Sequence, residues 1–421
     1  MSVTVQEAAK TLGVSIDTIR RWEKKGLVRA GRSKNNYRIF DLQELRDLQE
    51  KYSGNSGSGR GFQVLKSPST EISVIELFSG AGGMALGFSN AGLKTKMLVE
   101  INKHAVATLK FNQPEWNVVS GDVREVCFKE HQDQIDVVAG GFPCQAFSYA
   151  GMGRGFEDTR GTLFFEFARC VKEVRPKIAI GENVRGLVKH DDGRTLKTMI
   201  NALEELGYDT TYQILRAQFL DVAQKRERLI IMGIRKDLDI QHLFPKERDY
   251  TISLREALEE CPESVGGKYT SRKAQIMEQV PPGGYWRDLP LDLQKEYMAG
   301  SFHLSGGKTG MARRLSWDEP SLTLTCNPAQ KQTERCHPQE TRPLSCREYA
   351  RIQTFPDDWQ FQGGASAQYK QIGNAVPCNL AYHLGRCIIA MINGEIPEGE
   401  EFTKISKDIK PKLSEQTVLS L

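Results

Sequence analysis

Residues 72–83 read ISVIELFSGAGG, an apolar run of strand-forming residues that leads directly into a glycine-rich turn. β-Branched and aromatic residues predict a buried strand here, and the glycines after it predict a tight turn into a helix. Further strand-forming runs alternate with helical stretches along the chain: KMLVE (96–100), IDVVAG (135–140), KIAIGEN (177–183) and LIIMGI (229–234). The alternation predicts an α/β fold, a doubly wound Rossmann-like sheet that binds ligands at the carboxyl ends of its strands.

The glycine turn and two acidic residues predict a site for an adenosine-containing cofactor. Gly80 and Gly82 allow a ligand to approach the backbone, and amide donors are exposed at the start of the following helix. Glu100 ends the second predicted strand, where its carboxylate can accept hydrogen bonds from ribose hydroxyls, and Asp122 follows the third strand, placed to meet an adenine amino group. The spacing fits a dinucleotide fingerprint about equally well, so these residues leave NAD and S-adenosylmethionine open.

A cysteine stands at the mouth of the predicted crevice, in the loop GGFPCQ (140–145) after the fourth strand. A single loop cysteine is usually structural, but three later segments favour a chemical role. The segment IGENV (180–184) puts a carboxylate at the end of the next strand, and QKRER (224–228) puts two guanidiniums before the strand LIIMGI. The segment QIGNAVP (371–377) adds a late loop-to-helix turn. Cys144 is therefore the candidate nucleophile.

In this order, the segments FSGAGG, GFPCQ, ENV, QKRER and QIGNAVP resemble the signature blocks of the cytosine-5 DNA methyltransferases, from about residue 72 to 392. The stretch RPLSCREYARIQTFPDDW, preceded by TERCHP, is similar to the block before the last of these in bacterial members. The resemblance implies S-adenosyl-L-methionine as the cofactor. It also implies roles for the matching residues: Cys144 as nucleophile, Glu182 and Arg228 as base-holding groups, Arg226 as support, and a cofactor pocket of Phe78, Glu100, Ile101, Asp122, Pro143 and Asn374.

The chemistry that this resemblance implies needs these groups. Carbon 5 of cytosine is a poor nucleophile, and a thiolate that adds to C6 gives an enamine-like ring whose C5 can attack the methyl group. Negative charge develops on the ring, so a protonated or proton-sharing carboxyl at N3 and a guanidinium at O2 stabilise it. The ring faces cannot be reached inside double-stranded DNA, so the base must be flipped out. Residues 145–165 are glycine-rich and suit a mobile loop that closes over DNA, with Ser148 and Arg154 as predicted phosphate contacts.

Residues 1–52 predict a small DNA-binding head. Residues 1–60 carry twelve Lys and Arg against seven Asp and Glu, so they have a net charge of +5 and the rest of the chain −1. Signals for helix, tight turn, helix and hairpin predict a winged helix-turn-helix. The stretches VQEAAKTLGVSIDTIRRWEKKGLV and NNYRIF resemble the head of the MerR family, with phosphate contacts expected at Arg20, Arg21 and Arg38. A three-helix packing module without DNA contact is the alternative.

Composition divides the rest of the chain into further units. Glycine and serine directly after the head predict a flexible linker, and the strand–helix pattern fails later, where family members carry their target recognition domain. The predicted units are the head (1–52), the linker (53–70), the cofactor and nucleophile part of the catalytic domain (71–235), the recognition domain (236–311), the end of the recognition region with the return to the catalytic domain (312–394) and a solvated tail (395–421). Arg272, Lys273 and Arg287 are recognition-region charges that the sequence cannot assign either to DNA or to the surface.

The lengths of apolar runs and the spacing of cysteines predict where the protein is located and whether it binds a metal. No apolar run approaches the ~20 residues that a spanning helix needs, which predicts a cytoplasmic protein without membrane contact. Nine cysteines without a C-x-x-C pair indicate a reduced chain. Cys326, Cys336 and Cys346 are evenly spaced, but the spacing matches no common zinc pattern, so no metal is predicted.

Two other function classes stay open. One is a DNA-binding regulator that acts through the head, and the other is a tRNA cytosine-5 methyltransferase, because one eukaryotic branch of the family acts on tRNA. The substantial recognition region and the DNA-type head favour double-stranded DNA. For a bacterial enzyme of this kind, the expected context is a restriction-modification system, in which a cognate restriction endonuclease acts separately.

Overall fold

The computed structural model describes residues 2–12, 19, 22–23, 28–33, 37–52, 61–143, 163–396 and 402–405. The strands are, in chain order, β1 (Ser2–Thr4), β2 (Gly31–Arg32), β3 (Arg38–Asp41), β4 (Ser73–Leu77), β5 (Lys94–Glu100), β6 (Val118–Ser120), β7 (Val137–Gly140), β8 (Ile178–Val184), β9 (Tyr208–Arg216), β10 (Gln224–Lys225), β11 (Glu227–Arg235), β12 (Leu243–Pro245), β13 (Ser321–Leu322) and β14 (Phe402–Lys404). The α-helices span Val5–Leu12, Leu42–Tyr52, Gly83–Ala91, Lys103–Asn112, Leu163–Val174, Arg194–Glu205, Leu254–Leu258, Ser271–Glu278, Leu291–Met298, Cys346–Ile352, Ala365–Asn374 and Cys378–Asn393.

The N-terminal head combines the antiparallel strands β1-β3-β2 with helices that begin at capping side chains. Thr4 Oγ1 accepts a hydrogen bond from the amide of Glu7 at 3.3 Å, and Asp41 Oδ1 accepts one from the amide of Gln43 at 2.8 Å. Its buried residues share one hydrophobic core: Val3, Ala8, Ala9, Ile19, Trp22, Val28, Phe40, Leu42 and Leu45. The second helix of the predicted helix-turn-helix lies largely outside the described residues, so it stays a prediction.

The central sheet has seven strands in the order β6-β5-β4-β7-β8-β11-β9. The strands from β6 to β8 are parallel, and β11 runs antiparallel to both of its neighbours. Strand order reverses at β4, which opens a crevice at the carboxyl ends of β4 and β7. The predicted Rossmann-like α/β sheet is therefore confirmed. β9 is a strand that the apolar pattern missed, because Asp209, Thr210 and Thr211 interrupt its apolar residues.

Alternate residues of the strands face two hydrophobic layers, as the period of two in a strand requires. On β4, Val74 packs in the layer that contains the helices Gly83–Ala91 and Cys378–Asn393. Its neighbour Ile75 packs on the opposite face, in the layer that contains the helix Leu163–Val174. Helices on both faces bury the sheet and leave its strand ends as the surface on which a site can form.

Glycines bring the helix after β4 very close to the last long helix. A Cβ added at Gly83 would lie 2.2 Å from the carbonyl oxygen of Val376, and one at Gly87 would lie 2.3 Å from that of Cys378. Both distances are far inside van der Waals contact, so a residue with a side chain would push the helices apart. The segments FSGAGG and QIGNAVP are thus parts of one packed unit, although they are far apart in the sequence.

The segment before β4 is bound to the catalytic domain. The side-chain amide of Asn379 donates to the carbonyl of Gln63 at 2.9 Å, and its oxygen accepts from the amide of Leu65 at 3.1 Å. Residues from Gln63 onward are therefore fixed, in contrast to the flexible linker predicted for 53–70. The composition suggested flexibility, but polar side chains of the catalytic domain satisfy the backbone of this segment.

A small unit with its own core lies outside the sheet. The buried residues of this core are Ile276, Met277, Val280, Tyr285, Trp286, Leu289, Tyr297, Met298, Met311, Ala312 and Cys336. They span 276–336, whereas the sequence predicted a recognition domain over 236–311. Phe244 and Leu254, near the start of the predicted range, pack instead in cores of the catalytic domain.

Two C-terminal features also belong to the catalytic domain. β14 pairs antiparallel with β12, so this part of the predicted solvated tail (395–421) is bound rather than free. The segment Ala365–Asn393 is long and apolar enough to cross a membrane by composition, but 78% of its most apolar window is buried inside the protein. Burial in the protein is what a core helix shows, and the segment in fact comprises two helices with Pro377 between them.

Candidate active site

A cavity of about 1040 Å³ opens at the carboxyl ends of the central strands. Ten of the residues expected from the sequence line it: Phe78, Gly80, Glu100, Ile101, Asp122, Pro143, Glu182, Arg226, Arg228 and Asn374. The fold thus brings segments from the whole length of the catalytic domain to one place. The volume lies at the upper end of the range for ligand sites, ~300–1,000 Å³, and leaves room for a nucleoside-sized cofactor together with a base.

The glycine turn after β4 has an unusual backbone. Phe78 has a φ of 57° and Gly80 a φ of 54°. The left-handed conformation costs a residue with a side chain ~1–3 kcal/mol, and such strain concentrates at ligand sites. Glu100 holds the turn, because its Oε2 accepts from the amide of Gly80 at 2.7 Å and its Oε1 from the amide of Asn102 at 2.7 Å. Each carboxylate oxygen has a second lone pair, so the hydroxyl-binding role predicted for Glu100 is compatible with these bonds.

Gly82 lies behind the cavity wall rather than in it. Its φ is 86°, and a Cβ at this position would lie 2.7 Å from Cδ2 of Leu109 and 3.3 Å from the ring of Trp359. The predicted contact between Gly82 and a cofactor stays a prediction. Gly82 is needed for the tight turn and for close packing against the neighbouring helix.

Glu76 also lines the cavity, although no sequence motif indicated it as a site residue. Its side chain on β4 is buried, and its Oε2 has no hydrogen-bond partner within the described part of the chain. Burial raises the pKa of this carboxyl well above its usual value, and the nearby Glu100 and Glu182 raise it further. An unpartnered carboxyl in a ligand cavity fits a positively charged ligand group. The signal in the sequence was an acidic residue inside an otherwise apolar strand.

Asp122 and Ile101 form the side of the cavity beyond β5. Arg124 Nε donates to Asp122 Oδ1 at 3.0 Å, and this hydrogen bond lowers the pKa of Asp122 to about 2. The Asp122 carboxylate is therefore charged and oriented, as an acceptor for an amino group should be. Ile101 is 69% exposed, which fits an apolar surface that a flat ring can cover.

Glu182 and Arg228 form a buried ion pair in the same cavity. Arg228 Nε lies 2.8 Å from Glu182 Oε1, and each side chain is 12% exposed. Burial raises the pKa of the Glu182 carboxyl, although the positive charges of Arg228 and Arg226 oppose this shift. A carboxyl that holds its proton readily, beside a fixed guanidinium, suits a ring edge that presents a nitrogen acceptor and a carbonyl oxygen.

Arg226 lines the cavity and hydrogen-bonds to backbone carbonyls around it. Its side chain is 1% exposed, and its NH2 group donates to the carbonyl oxygens of Ala375 at 2.8 Å and Gly373 at 3.1 Å. NH1 donates to the carbonyl oxygen of Leu324 at 3.3 Å. Arg226 therefore joins the QKRER segment to the turn that carries Asn374, and its supporting role in the reaction stays a prediction.

The loop that carries Cys144 starts from a fixed point. Asn183 Nδ2 donates to the carbonyl oxygen of Phe142 at 2.9 Å, which ties this loop to the segment with Glu182. The ring of Phe142 packs against Phe164 and Phe167, with centroid distances of 5.2 and 5.7 Å. Both described ends of the loop thus meet in one aromatic cluster. Cys144 itself lies outside the described residues, so its role stays a prediction.

The cysteines considered for a zinc site have other partners or are buried. The thiol of Cys326 donates to Asn374 Oδ1 at 3.0 Å, and Cys336 and Cys346 are buried. In the part of the chain that the structure describes, no three His, Cys, Asp or Glu side chains group as metal ligands.

Helical residues complete the cavity. His104 lies on the helix Lys103–Asn112, and Lys370 and Gln371 lie on the helix Ala365–Asn374. The sequence did not indicate them, because a helical pattern does not reveal which polar positions of a helix face a ligand.

The predicted DNA contacts are mostly outside the described residues, as Arg20, Arg21, Ser148 and Arg154 all are. Arg38 is described, and its NH1 lies 3.3 Å from Glu23 Oε2 with 48% of its side chain exposed. A surface ion pair of this kind is weak, so a phosphate can still approach Arg38.

The three cations of the small unit that the sequence could not assign differ in their burial and partners. Lys273 Nζ lies 2.5 Å from Glu334 Oε1, and the Glu334 side chain is fully buried, so Lys273 is a structural residue. Arg272 pairs with Glu296 at the surface, and Arg287 stacks on the indole of the preceding residue. Of these three cations, Lys273 is the one that the structure removes from the candidate DNA contacts.

The strand order with β11 antiparallel, the glycine turn and the acidic end of β5 define the Rossmann-like fold of the S-adenosylmethionine-dependent methyltransferases. Residues 72–390 match the family described as C-5 cytosine-specific DNA methylase, and residues 4–40 match the MerR family regulatory protein. The chain belongs to the C-5 cytosine-specific DNA methylase family and is a DNA (cytosine-5-)-methyltransferase.

Individual proteins agree with this assignment. The chain is 55% identical over 402 residues to the Type II methyltransferase M.Eco47II of Escherichia coli, covering 93% of this chain and 96% of that protein. It is 50% identical over 395 residues to the Type II methyltransferase M.PspPI of Psychrobacter sp. (strain TA137), covering 91% and 95%. A DNA modification methyltransferase encoded within an E. coli prophage has a similar structure, with a TM-score of 0.57 at 25% identity over 77% of this chain and 100% of that one. The resemblance inferred from the five segments is confirmed.

Proposed function

We propose that this enzyme transfers the methyl group of S-adenosyl-L-methionine to C5 of a flipped-out cytosine in double-stranded DNA, through a covalent adduct with Cys144. The observation that carries the proposal is the buried Glu182–Arg228 pair, which shares one cavity with the glycine turn of β4. The loop with Cys144 begins at Pro143, on the wall of that cavity. Cofactor site, base-holding pair and nucleophile loop thus belong to one site.

The cavity fits S-adenosyl-L-methionine by its charges. The unpartnered Glu76 carboxyl suits the ammonium group, Glu100 suits the ribose hydroxyls and the oriented carboxylate of Asp122 suits the adenine amino group. Ile101 and Phe78 supply apolar surface for the adenine ring. When bound, the cofactor supplies an electrophilic methyl group on its sulfonium.

The protein groups act on the cytosine. The Cys144 thiolate adds to C6, and the electron pair that this addition releases makes C5 nucleophilic. Glu182 places its carboxyl proton at N3, and Arg228 donates to O2, so the negative charge on the ring is stabilised. After C5 gains the methyl group, its proton leaves to a base, and the thiolate is eliminated as the C5–C6 double bond forms again.

We also propose DNA contacts outside the cavity. We assign Ser148 and Arg154 to phosphate contacts of the loop after Cys144, and Arg20, Arg21 and Arg38 to phosphate contacts of the head. Sequence recognition is assigned to the small unit with its core at 276–336. Replacing this unit by that of another family member should change the methylated sequence. An active, soluble chimera with unchanged sequence preference would contradict this assignment.

The biological role that we propose is based on the relatives, which are Type II methyltransferases. We infer that this enzyme protects cytoplasmic DNA as part of a restriction-modification system, with a cognate restriction endonuclease that acts separately. The head is a candidate for autoregulation of the enzyme's own gene.

Mechanism-based trapping tests the proposal. With duplex DNA that carries 5-fluorocytosine at the target, the enzyme should form a covalent complex in the presence of S-adenosyl-L-methionine, because fluorine blocks the final proton loss. The variant Cys144→Ser should bind this DNA and form no complex, since a hydroxyl is far less acidic than a thiol (reference thiol pKa ~8.5). Trapping by Cys144→Ser, or labelled-methyl transfer to tRNA in preference to duplex DNA, would overturn the proposal.

A further inference from the structure

A second pocket adjoins the base-holding pair. It has a volume of about 530 Å³ and shares Val184, Arg226 and Arg228 with the main cavity. Its walls come from the ends of β8 and β9, the start of β11 and the segment after β13. Because β11 is antiparallel, these walls all lie at the sheet edge on which the main cavity opens. We call it the basic pocket because half of its described lining residues are cations.

Cationic side chains make up much of the lining of the basic pocket. Half of its ten described lining residues are cations, and one is acidic: Arg185, Arg216, Lys225, Arg226 and Arg228 against Glu227. Carboxylates pair with four of these cations, Arg185 with Glu227, Arg216 with Glu247, Lys225 with Glu319 and Arg228 with Glu182. The pocket therefore offers oriented cationic donors, and such donors suit an anion. The cofactor has no need of this pocket, because the cofactor site described above lies in the main cavity.

The two exposed guanidiniums of the basic pocket are held in place by carboxylates. Arg185 NH1 lies 2.6 Å from Glu227 Oε2. Arg216 forms a bidentate pair with Glu247, in which its Nε donates at 2.8 Å. A guanidinium carries five N–H donors, and these pairs use one from Arg185 and two from Arg216. Both side chains are therefore oriented in advance while they keep donors for an anion, which lowers the entropy cost of binding.

Arg228 links the two sites. Its Nε faces Glu182 in the main cavity, and the same side chain lines the basic pocket. In the proposed complex, a cytosine held by this pair is covalently joined to its flanking phosphates, which therefore lie within one nucleotide of Arg228. We propose that the basic pocket binds the phosphodiester next to the flipped cytidine in the target strand, with Arg185 and Arg216 as the contacting side chains. This inference rests on the proposed function and adds to it a phosphate site beside the base.

Paired variants test the basic pocket. Arg185→Gln and Arg216→Gln should each raise the KM for DNA about tenfold, the effect of one charge-assisted hydrogen bond. The slope of log Kd against log salt should become shallower by roughly 0.9 for each lost contact. The kcat at saturating DNA and the Kd for S-adenosyl-L-methionine should stay within about twofold, since the base-holding pair and cofactor site are intact.

Lys94→Gln is the matched control for these variants. Lys94 is also an exposed, ion-paired cation, 2.6 Å from Glu71, but it lies at the start of β5, on the opposite edge of the sheet. This control should keep the KM and the salt slope of the wild type. Melting temperatures of all three variants separate loss of a contact from loss of folding.

Uncharged phosphates identify the contact directly. Duplexes with a single methylphosphonate in the target strand should bind the wild type more weakly when the substitution flanks the target cytosine. Arg185→Gln should not suffer this additional loss at the contacted position. Equal losses for variant and wild type at every position, an unchanged KM and salt slope, or inhibition by inorganic phosphate that competes with cofactor rather than DNA would overturn the inference. Wild-type turnover in the same assays shows whether the proposed reaction itself holds.

Discussion

Arg228 Nε lies 2.8 Å from Oε1 of Glu182, and this buried pair joins neighbouring antiparallel strands. The Glu182 carboxyl is thus fixed beside the Arg228 guanidinium, and burial raises the pKa of this carboxyl. The pair can present a proton and a guanidinium to one ring edge without rearrangement. Pre-organised groups of this kind account for much of enzymatic charge stabilisation.

Glu182→Gln should reduce kcat for methyl transfer by about 100-fold or more, because an amide cannot place a carboxyl proton at N3. The Kd for S-adenosyl-L-methionine should stay close to that of the wild type. The pKa of Glu182 is raised, and the wild-type rate should fall as pH rises through this raised pKa because the carboxyl then loses its proton. The pH–rate profile of the variant should lack this fall. Glu71→Gln, at an exposed carboxyl, is the control. A variant with wild-type kcat would remove Glu182 from the chemical step.

Glu76→Gln should change how stability depends on pH. The folded protein holds the Glu76 proton more tightly than the unfolded chain does, because the pKa is raised in the fold. The free energy of unfolding of the cofactor-free wild type should therefore fall, relative to the variant, as pH rises above the usual glutamate value. At acidic pH, where both states are protonated, the two proteins should be similar. Parallel melting-temperature profiles from pH 4 to 8 would contradict the buried state of this carboxyl.

The same variant, Glu76→Gln, should bind S-adenosyl-L-methionine more weakly.

Gly83→Ala should destabilise the protein by ~1–3 kcal/mol, since the new Cβ would meet the carbonyl oxygen of Val376. Cofactor affinity should fall too, because Val376 lines the cavity. Gly364→Ala is the matched control, because Gly364 has an ordinary φ of −69° and a Cβ added there would meet nothing within 4 Å. Urea unfolding of both variants measures the difference, and equal midpoints would refute the close helix contact.

Removal of the head should leave chemistry intact and weaken DNA binding. A chain that begins at Gly61 should keep wild-type turnover at saturating DNA and show a shallower salt dependence, since phosphate contacts of the head are lost. A chain that begins at Pro68, inside the linker predicted over 53–70, should melt at a lower temperature, because it also lacks the Gln63 and Leu65 hydrogen bonds to Asn379. Equal affinity and salt slope for the full chain and the Gly61 chain would identify the head as a protein-interaction module.

The sequence by itself determined the sheet and most of the site. Alternating apolar runs predict the parallel strands, and polar segments at their ends predict which residues meet, because the carboxyl ends of parallel strands share one edge. Glu100, Asp122 and Glu182 could be predicted in this way. Arg228, at the start of the antiparallel β11, was expected only from the family resemblance, and all four residues line the cavity.

Tertiary structure alone decided the remaining features. Glu76 lines the cavity only because the strands beside β4 bury it there, and its Oε2 has no hydrogen-bond partner among the described residues. Gly82 is closely packed only because Leu109 lies behind it. The basic pocket likewise depends on an antiparallel strand that brings Arg216 beside Arg185. The physical reason is common to all three. Local patterns report the preferences of a residue and its chain neighbours, whereas burial, close approach and charge clustering arise between segments that are distant in the chain.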